Sequence, residues 1–182
     1  MPRTILVTGV SGFIAKRIAF DLLAQGDAVR GTLRNLDRAG EVRAAMAGLP
    51  AEAQERLSFV EADLLSDTGW LAAMAGVDAV IHAASPFPLS KPKDESVLIR
   101  PAVEGTQRVL CAAQATGVTR VVLTSSMEAV MHGVTSDPIT EADWSDPQAP
   151  TCSPYTRSKI FAERAAWDFV AKHPEMQLTV IN

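Results

Sequence analysis

The 182-residue sequence predicts an α/β protein, a doubly wound parallel sheet with helices on both faces. Three observations carry that expectation. Apolar runs of strand length alternate with stretches of helical periodicity along the whole chain. Those runs are nearly unbroken, as strands buried on both faces are. The first of them, Ile5-Leu6-Val7, passes through Thr8-Gly9-Val10-Ser11-Gly12 into a helical pattern. A glycine turn between a strand and a helix is the setting of a dinucleotide-binding turn.

In that turn Gly9 is free to take backbone angles closed to other residues. Gly12 presents no side chain to keep a diphosphate from the backbone, and Ala15 is small enough for helix and strand to pack closely. Phe13 and Ile14 open the helix, whose N–H groups and positive end favour a phosphate. Gly9, Val10, Ser11, Gly12, Phe13 and Ile14 are therefore the first candidate cofactor contacts.

The helix is expected over 12–25, with Gly26 at its end, and a second strand over 28–33. An NAD site places a carboxylate after that strand for the ribose hydroxyls. Here Arg34 stands instead, with Arg38 one helical turn on, and a guanidinium pairs well with a 2′-phosphate. NADP is favoured over NAD, the alternative being two solvated surface charges. A short helix over 37–46 is broken by Gly48-Leu49-Pro50, and a third strand covers 57–60. After it, Asp63 is placed either to accept from an adenine amino group or to cap a turn, with Leu64 covering the ring. Ser66 reads as the N-cap of a helix reaching Met74.

A fourth strand over 77–81 leads into His82-Ala83-Ala84-Ser85-Pro86. Ala83, Ala84 and Ser85 are small enough to admit diphosphate and ribose, while His82 reads as a packed, hydrogen-bonded core histidine. Pro86, Pro88 and Pro92 stiffen a loop carrying Phe87 and Leu89, a candidate wall of a substrate pocket. A long helix over 94–116 contains Pro101, which predicts a kink or break. A fifth strand covers 120–123, a long polar loop 131–151, a helix 155–172 and a sixth strand 177–181. Ser153-Pro154 supplies the N-cap and first turn of that last helix.

Composition narrows the partners. The length suits one domain with a real core. The net charge of −4 and the lack of a basic run argue against nucleic acid. Cys111 and Cys152 are far apart and lack ligand spacing, so free thiols in a reducing compartment and no metal are expected. No signal peptide or membrane-length apolar run is seen, and a cytoplasmic protein without a membrane partner is expected.

The chemistry gathers after the fifth strand. Thr124, Ser125 and Ser126 occupy the edge where doubly wound sheets bind ligands. Tyr155 and Lys159 are one helical turn apart and share a face. A nearby ammonium stabilises a phenolate, so Tyr155 is a candidate proton donor, and a serine hydroxyl steadies a developing alkoxide.

Together these motifs resemble the extended short-chain dehydrogenase/reductases of the epimerase/dehydratase superfamily. Within them the chain is similar to the dihydroflavonol-reductase, cinnamoyl-CoA-reductase and methylglyoxal-reductase group. The matching stretches are residues 7–15, Arg34, Asp63-Leu64, 82–86, 123–126, 155–159 and Glu163-Arg164-Ala165-Ala166-Trp167. The resemblance implies a Rossmann-type fold and NADPH-dependent reduction of an aldehyde or ketone. It also implies Ser126, Tyr155 and Lys159 as the catalytic three, with Thr124, Tyr155 and Lys159 also near the cofactor. Members run on for about as long again, so the chain is expected to be the NADP-binding N-terminal half of a longer reductase. A nucleotide-sugar epimerase or dehydratase and a non-catalytic NADP(H) sensor are the alternatives. Oligomeric state is left open.

Overall fold

The computed structural model describes residues 2–87 and 92–182. In chain order its elements are β1 (Thr4–Val7), α1 (Phe13–Ala24), β2 (Ala28–Leu33), α2 (Ala39–Ala45), α3 (Ala51–Gln54), β3 (Leu57–Glu61), α4 (Trp70–Met74), β4 (Ala79–His82), α5 (Ser96–Ala115), β5 (Arg120–Thr124), α6 (Pro154–Val170) and β6 (Gln177–Ile181). The strands form one parallel sheet in the order β3-β2-β1-β4-β5-β6. The order reverses between β1 and β4, and the crevice outside that reversal is where such sheets bind ligands. The fold is the Rossmann-like one expected from the alternation of patterns.

Register assigns each strand residue to a face. Leu6, Val80, Val121 and Leu123 turn to the side covered by α4, α5 and α6, where Trp70, Met74, Val109, Leu110 and Ala166 complete one core. Ile5, Val7, Val29 and Leu33 turn to the other side and pack with Ala15, Ala19 and Leu23 of α1 and Val42 of α2. That second layer covers β3, β2 and β1. Over β4 to β6 the described residues leave the same face open, and a groove of about 270 Å³ runs past Leu22, Ala79, Ile81 and Val122, with Arg3, Arg120, Gln177 and Thr179 also lining it.

Three elements depart from expectation. The helix forecast from Ser66 begins only at Trp70, with Gly69 at its N-cap. The Trp70 indole explains the delay: it donates to the carbonyls of Asp63 and Ser66 at 3.1 and 3.0 Å, folding 63–66 into a turn beneath the ring. The Ser66 N–H closes that turn on the Asp63 carbonyl at 3.1 Å, and Ser66 Oγ accepts from the Thr68 N–H beyond it. The stretch 37–46 divides into a 3₁₀ turn, Leu36–Arg38, and α2, while α3 forms after Pro50 in residues for which no element was expected. Pro101 neither ends nor divides α5, which is continuous through it. The ring forgoes one hydrogen bond to the Val97 carbonyl. Leu98, Pro101, Ala102 and Gly105 are all buried, and that packing holds the helix across the gap.

Candidate active site

The glycine turn is built by hydrogen bonds from β2 and β4. Gly9 has φ +63°, and its N–H donates to Thr32 Oγ1 at 2.9 Å. A Cβ there would stand 2.9 Å from that of Ala84, so the turn and the end of β4 meet at a gap only glycine leaves. The Gly12 N–H donates to the Gly9 carbonyl at 2.8 Å and starts α1. That helix has no side-chain cap and no acid in its first turn. Its leading N–H groups and positive end thus face outward unneutralised, the state in which a helix start receives a phosphate. Phe13 and Ile14 stand exposed on the rim, with Ser11 half-buried beside them. Val10 differs from its neighbours. Its side chain is fully buried over Gly31, where a Cβ would lie 2.4 Å from Val10 Cγ1, and its N–H donates to the Thr32 carbonyl. It shapes the turn from inside.

His82 is the lock beneath this turn. Thr8 Oγ1 accepts the Ala84 N–H at 3.0 Å, so its own hydrogen is available for His82 Nδ1 at 2.8 Å. Thr106 of α5 donates to the Ala102 carbonyl and so accepts from His82 Nε2 at 3.3 Å. The neutral imidazole with its hydrogen on Nε2 satisfies every partner. Burial, helped by the Lys159 charge, pushes the histidine down to about 3. It is a structural residue, as its place at a buried strand end suggested. The same Thr8 hydroxyl holds the Ala83-Ala84-Ser85 segment against the turn.

At the end of β2, Arg34 is exposed and has no hydrogen-bond partner among the described residues. Arg38 is engaged. Its Nε and Nη2 donate to Glu41 Oε2 at 3.1 and 2.7 Å, and Glu41 also takes the Lys16 ammonium. The two cations hold the Glu41 carboxyl below the usual range. A phosphate reaching Arg38 has to displace Glu41; Arg34 is already open. Asp63 closes a turn, its Oδ1 accepting from the Leu65 N–H at 2.9 Å, and Leu64 is lodged over Gly105 of α5, half-buried.

Across the reversal in strand order lie the other candidates. The Ser153 hydroxyl accepts the Thr156 N–H while Thr156 Oγ1 accepts from the Ser153 N–H, a capping box that fixes the first turn of α6. Tyr155 on that turn meets the Phe87 ring edge-on at 5.2 Å between centroids. Phe87 does border the site; Pro88 and Leu89 of the expected wall lie outside the described residues. Lys159 is buried, with Nζ 5.8 Å from the Tyr155 ring centroid and 3.4 Å from the Thr124 carbonyl that it donates to. Burial pushes its ammonium down to about 8, and the nearby Glu163 charge acts in the opposite direction.

Tyr155 behaves unlike the sequence expectation of a phenol eased toward ionisation. Its pKa is raised, chiefly by burial, with Glu128 adding to the rise and the Ser126 hydroxyl opposing it. In this arrangement the phenol holds its proton. Ser126 and Ser125 have separate tasks. Ser126 Oγ caps the 3₁₀ turn Met127–Ala129 and stands beside Tyr155, whereas Ser125 Oγ donates to Glu163. Two carboxylates went unassigned in the sequence: Glu128, which binds Thr156 Oγ1 and His132, and Glu163. Glu163 had a signal, since it continues the four-residue spacing from Tyr155 through Lys159. Glu128 had none, as its partners come from other segments.

A family model described as the NAD dependent epimerase/dehydratase family matches residues 5–182. The chain belongs to this family. The chain is similar to a cinnamoyl-CoA reductase of Petunia hybrida, 41% identical over 187 residues, with 99% of this chain and 53% of the relative covered. A putative NADPH-dependent methylglyoxal reductase of Candida albicans is 34% identical over 198 residues, covering 98% of this chain and 57% of the relative. Among solved structures, the yeast methylglyoxal/isovaleraldehyde reductase complexed with NADPH superposes with a TM-score of 0.83. It is 28% identical, covering 98% of this chain and 57% of that one. The chain thus spans just over half the length of these relatives.

Proposed function

We propose that this chain is the cofactor-binding half of an NADPH-dependent reductase that delivers hydride to the carbonyl of an aldehyde or ketone. The observation that carries the reading is the meeting of Ser126, Tyr155 and Lys159 on the sheet edge that also bears the glycine turn. The names of the relatives, which are reductases, support the reaction class, and the yeast relative's bound NADPH supports the cofactor. The glycine turn, the uncapped start of α1 and Arg34, exposed and without a partner among the described residues, fit a dinucleotide carrying a 2′-phosphate.

When bound, NADPH supplies the hydride. The N–H groups at the start of α1 would hold the diphosphate and Arg34 the 2′-phosphate, with Ala83, Ala84 and Ser85 leaving room alongside. Ser126 would hold the substrate oxygen. Tyr155, kept protonated by its surroundings, would pass its proton to that oxygen as charge develops there. Lys159 would then stabilise the phenolate left behind. This last task needs the ammonium, which is lost as pH rises through about 8. Reduction should therefore fall on the alkaline side of that value, and a pH profile still flat at pH ~10 would count against the role given to Lys159.

The deciding assay follows oxidation of NADPH across aldehydes, ketones and nucleotide sugars, with this chain and with any longer gene product containing it. Consumption with a carbonyl compound supports the reading. Turnover of nucleotide sugars with NAD in its place would make the protein an epimerase or dehydratase. Binding of NADPH without turnover in either form would favour a sensor.

A further inference from the structure

Glu163 is a carboxylate only 3% exposed, on α6 one turn beyond Lys159 and two beyond Tyr155. A buried carboxylate is tolerated only where donors surround it. Here the donors come from three elements. Ser125, at the end of β5, donates through Oγ to Glu163 Oε2. Asn182, just past β6, donates through Nδ2 to the same oxygen at 2.8 Å. Trp167 of α6 donates through its indole to Oε1 at 3.3 Å. Asn182 Nδ2 also reaches the carbonyl of Ser126, at 3.3 Å. Two of the three donors that satisfy Glu163, Ser125 and Asn182, thus also flank the candidate serine.

We propose that Glu163 is a positioning residue of the site, clasping the Ser125-Ser126 segment to α6 and serving as countercharge to the buried Lys159 ammonium. The roles of Ser126 and Lys159 in this proposal rest on the reductase reading. A purely structural clasp would explain the hydrogen bonds but not the second part. Lys159 has little water and one carbonyl, at 3.4 Å, to stabilise its charge, and Glu163, buried one turn farther along the same face of α6, is the carboxylate that favours the ammonium. The other ionisable groups near α6 are otherwise engaged. His82 on β4 is neutral, and Glu128 after β5 binds Thr156 and His132. Glu95, preceding α5, is paired with Arg157, and Arg164 donates to the Ser145 carbonyl in the long loop. Tyr155 is protonated. Removing the Glu163 charge leaves the buried Lys159 with the Thr124 carbonyl alone.

Two readouts separate this from a structural role. In protein labelled at the lysine ε-carbons, with the Lys159 signal assigned from Lys159→Met, the lysine titration midpoint is followed by NMR. Glu163→Gln keeps the size and loses the charge, and its Lys159 midpoint should fall by about one pH unit or more. Ser125→Ala removes one donor and keeps the charge, so its midpoint should stay near the parental value. A Glu163→Gln protein that is folded by circular dichroism but has an unmoved midpoint overturns the proposal. Should that variant fail to fold, Glu163→Met removes the charge with an apolar side chain of similar size, and an unmoved midpoint there overturns it equally. The titration needs no turnover. If neither this chain nor a longer gene product containing it reduces a carbonyl compound, the reductase reading fails while the fate of the Glu163–Lys159 coupling is still decided.

Discussion

At the scale of single residues, environment assigns roles that residue type leaves open. Tyr155 is the only tyrosine in the chain, and its burial beside Ser126 makes it a proton holder. In protein active with NADPH, Tyr155→Phe should preserve fold and cofactor affinity while lowering turnover by at least ~10²-fold. Steady-state kinetics with a binding titration measure both, and an unchanged rate would remove Tyr155 as the acid. Arg34 and Arg38 looked equivalent in the sequence, yet Glu41 occupies one and leaves the other open. Arg34→Ala should accordingly weaken NADPH binding by about 1.5–3 kcal/mol, the scale of a hydrogen bond to a charged group, with NADH nearly unaffected. Equal losses for the two cofactors, measured by calorimetry, would show that Arg34 does not meet the 2′-phosphate.

Between elements, the His82 network joins the turn after β1, the end of β4 and the middle of α5 through hydrogen bonds to Thr8 and Thr106. Its pKa is depressed in the folded state, so the stability it contributes is present above the unfolded value of about 6.5. As pH falls from there toward about 3, the unfolded chain binds a proton that the folded chain refuses. Each pH unit in that window should cost up to about 1.4 kcal/mol. His82→Asn keeps a polar group but cannot titrate. Urea unfolding between pH 6.5 and 5 should therefore show a steeper loss for the parental protein than for His82→Asn; parallel slopes would mean that His82 is not held neutral.

For the molecule as a whole, the uneven covering of the sheet is the dominant feature. One face is packed along its length by α4, α5 and α6, while the other is covered only over β1, β2 and β3. Ile181 is 54% exposed, and Ala79, Ile81 and Val122 border an open groove. An apolar sheet face left to water favours association. The 182-residue chain should self-associate in a concentration-dependent way, and Val122→Lys should shift sedimentation velocity profiles toward monomer. A parental chain that stays monomeric at ~100 μM would show that this face tolerates water.

Much of the architecture was legible because it rests on short-range patterns. Strand runs, the glycine turn, the Ser153-Pro154 cap and the Tyr155–Lys159 spacing are each written within a few consecutive residues, and hydrophobic period and turn chemistry decide them locally. The late start of α4 was not legible, because Trp70 ties down residues four and seven positions earlier through its indole. Nor was the continuity of α5 through Pro101, which depends on packing against neighbours and overrides local preference. The states of Tyr155, Lys159 and His82 depend on water excluded by distant segments. The same holds for the separation of Ser125 from Ser126, made by Glu163 brought close by folding, whereas that of Arg34 from Arg38 is made by Glu41, only three residues beyond Arg38. Charges and hydrogen-bond partners act through space, and only the packed chain sets those distances.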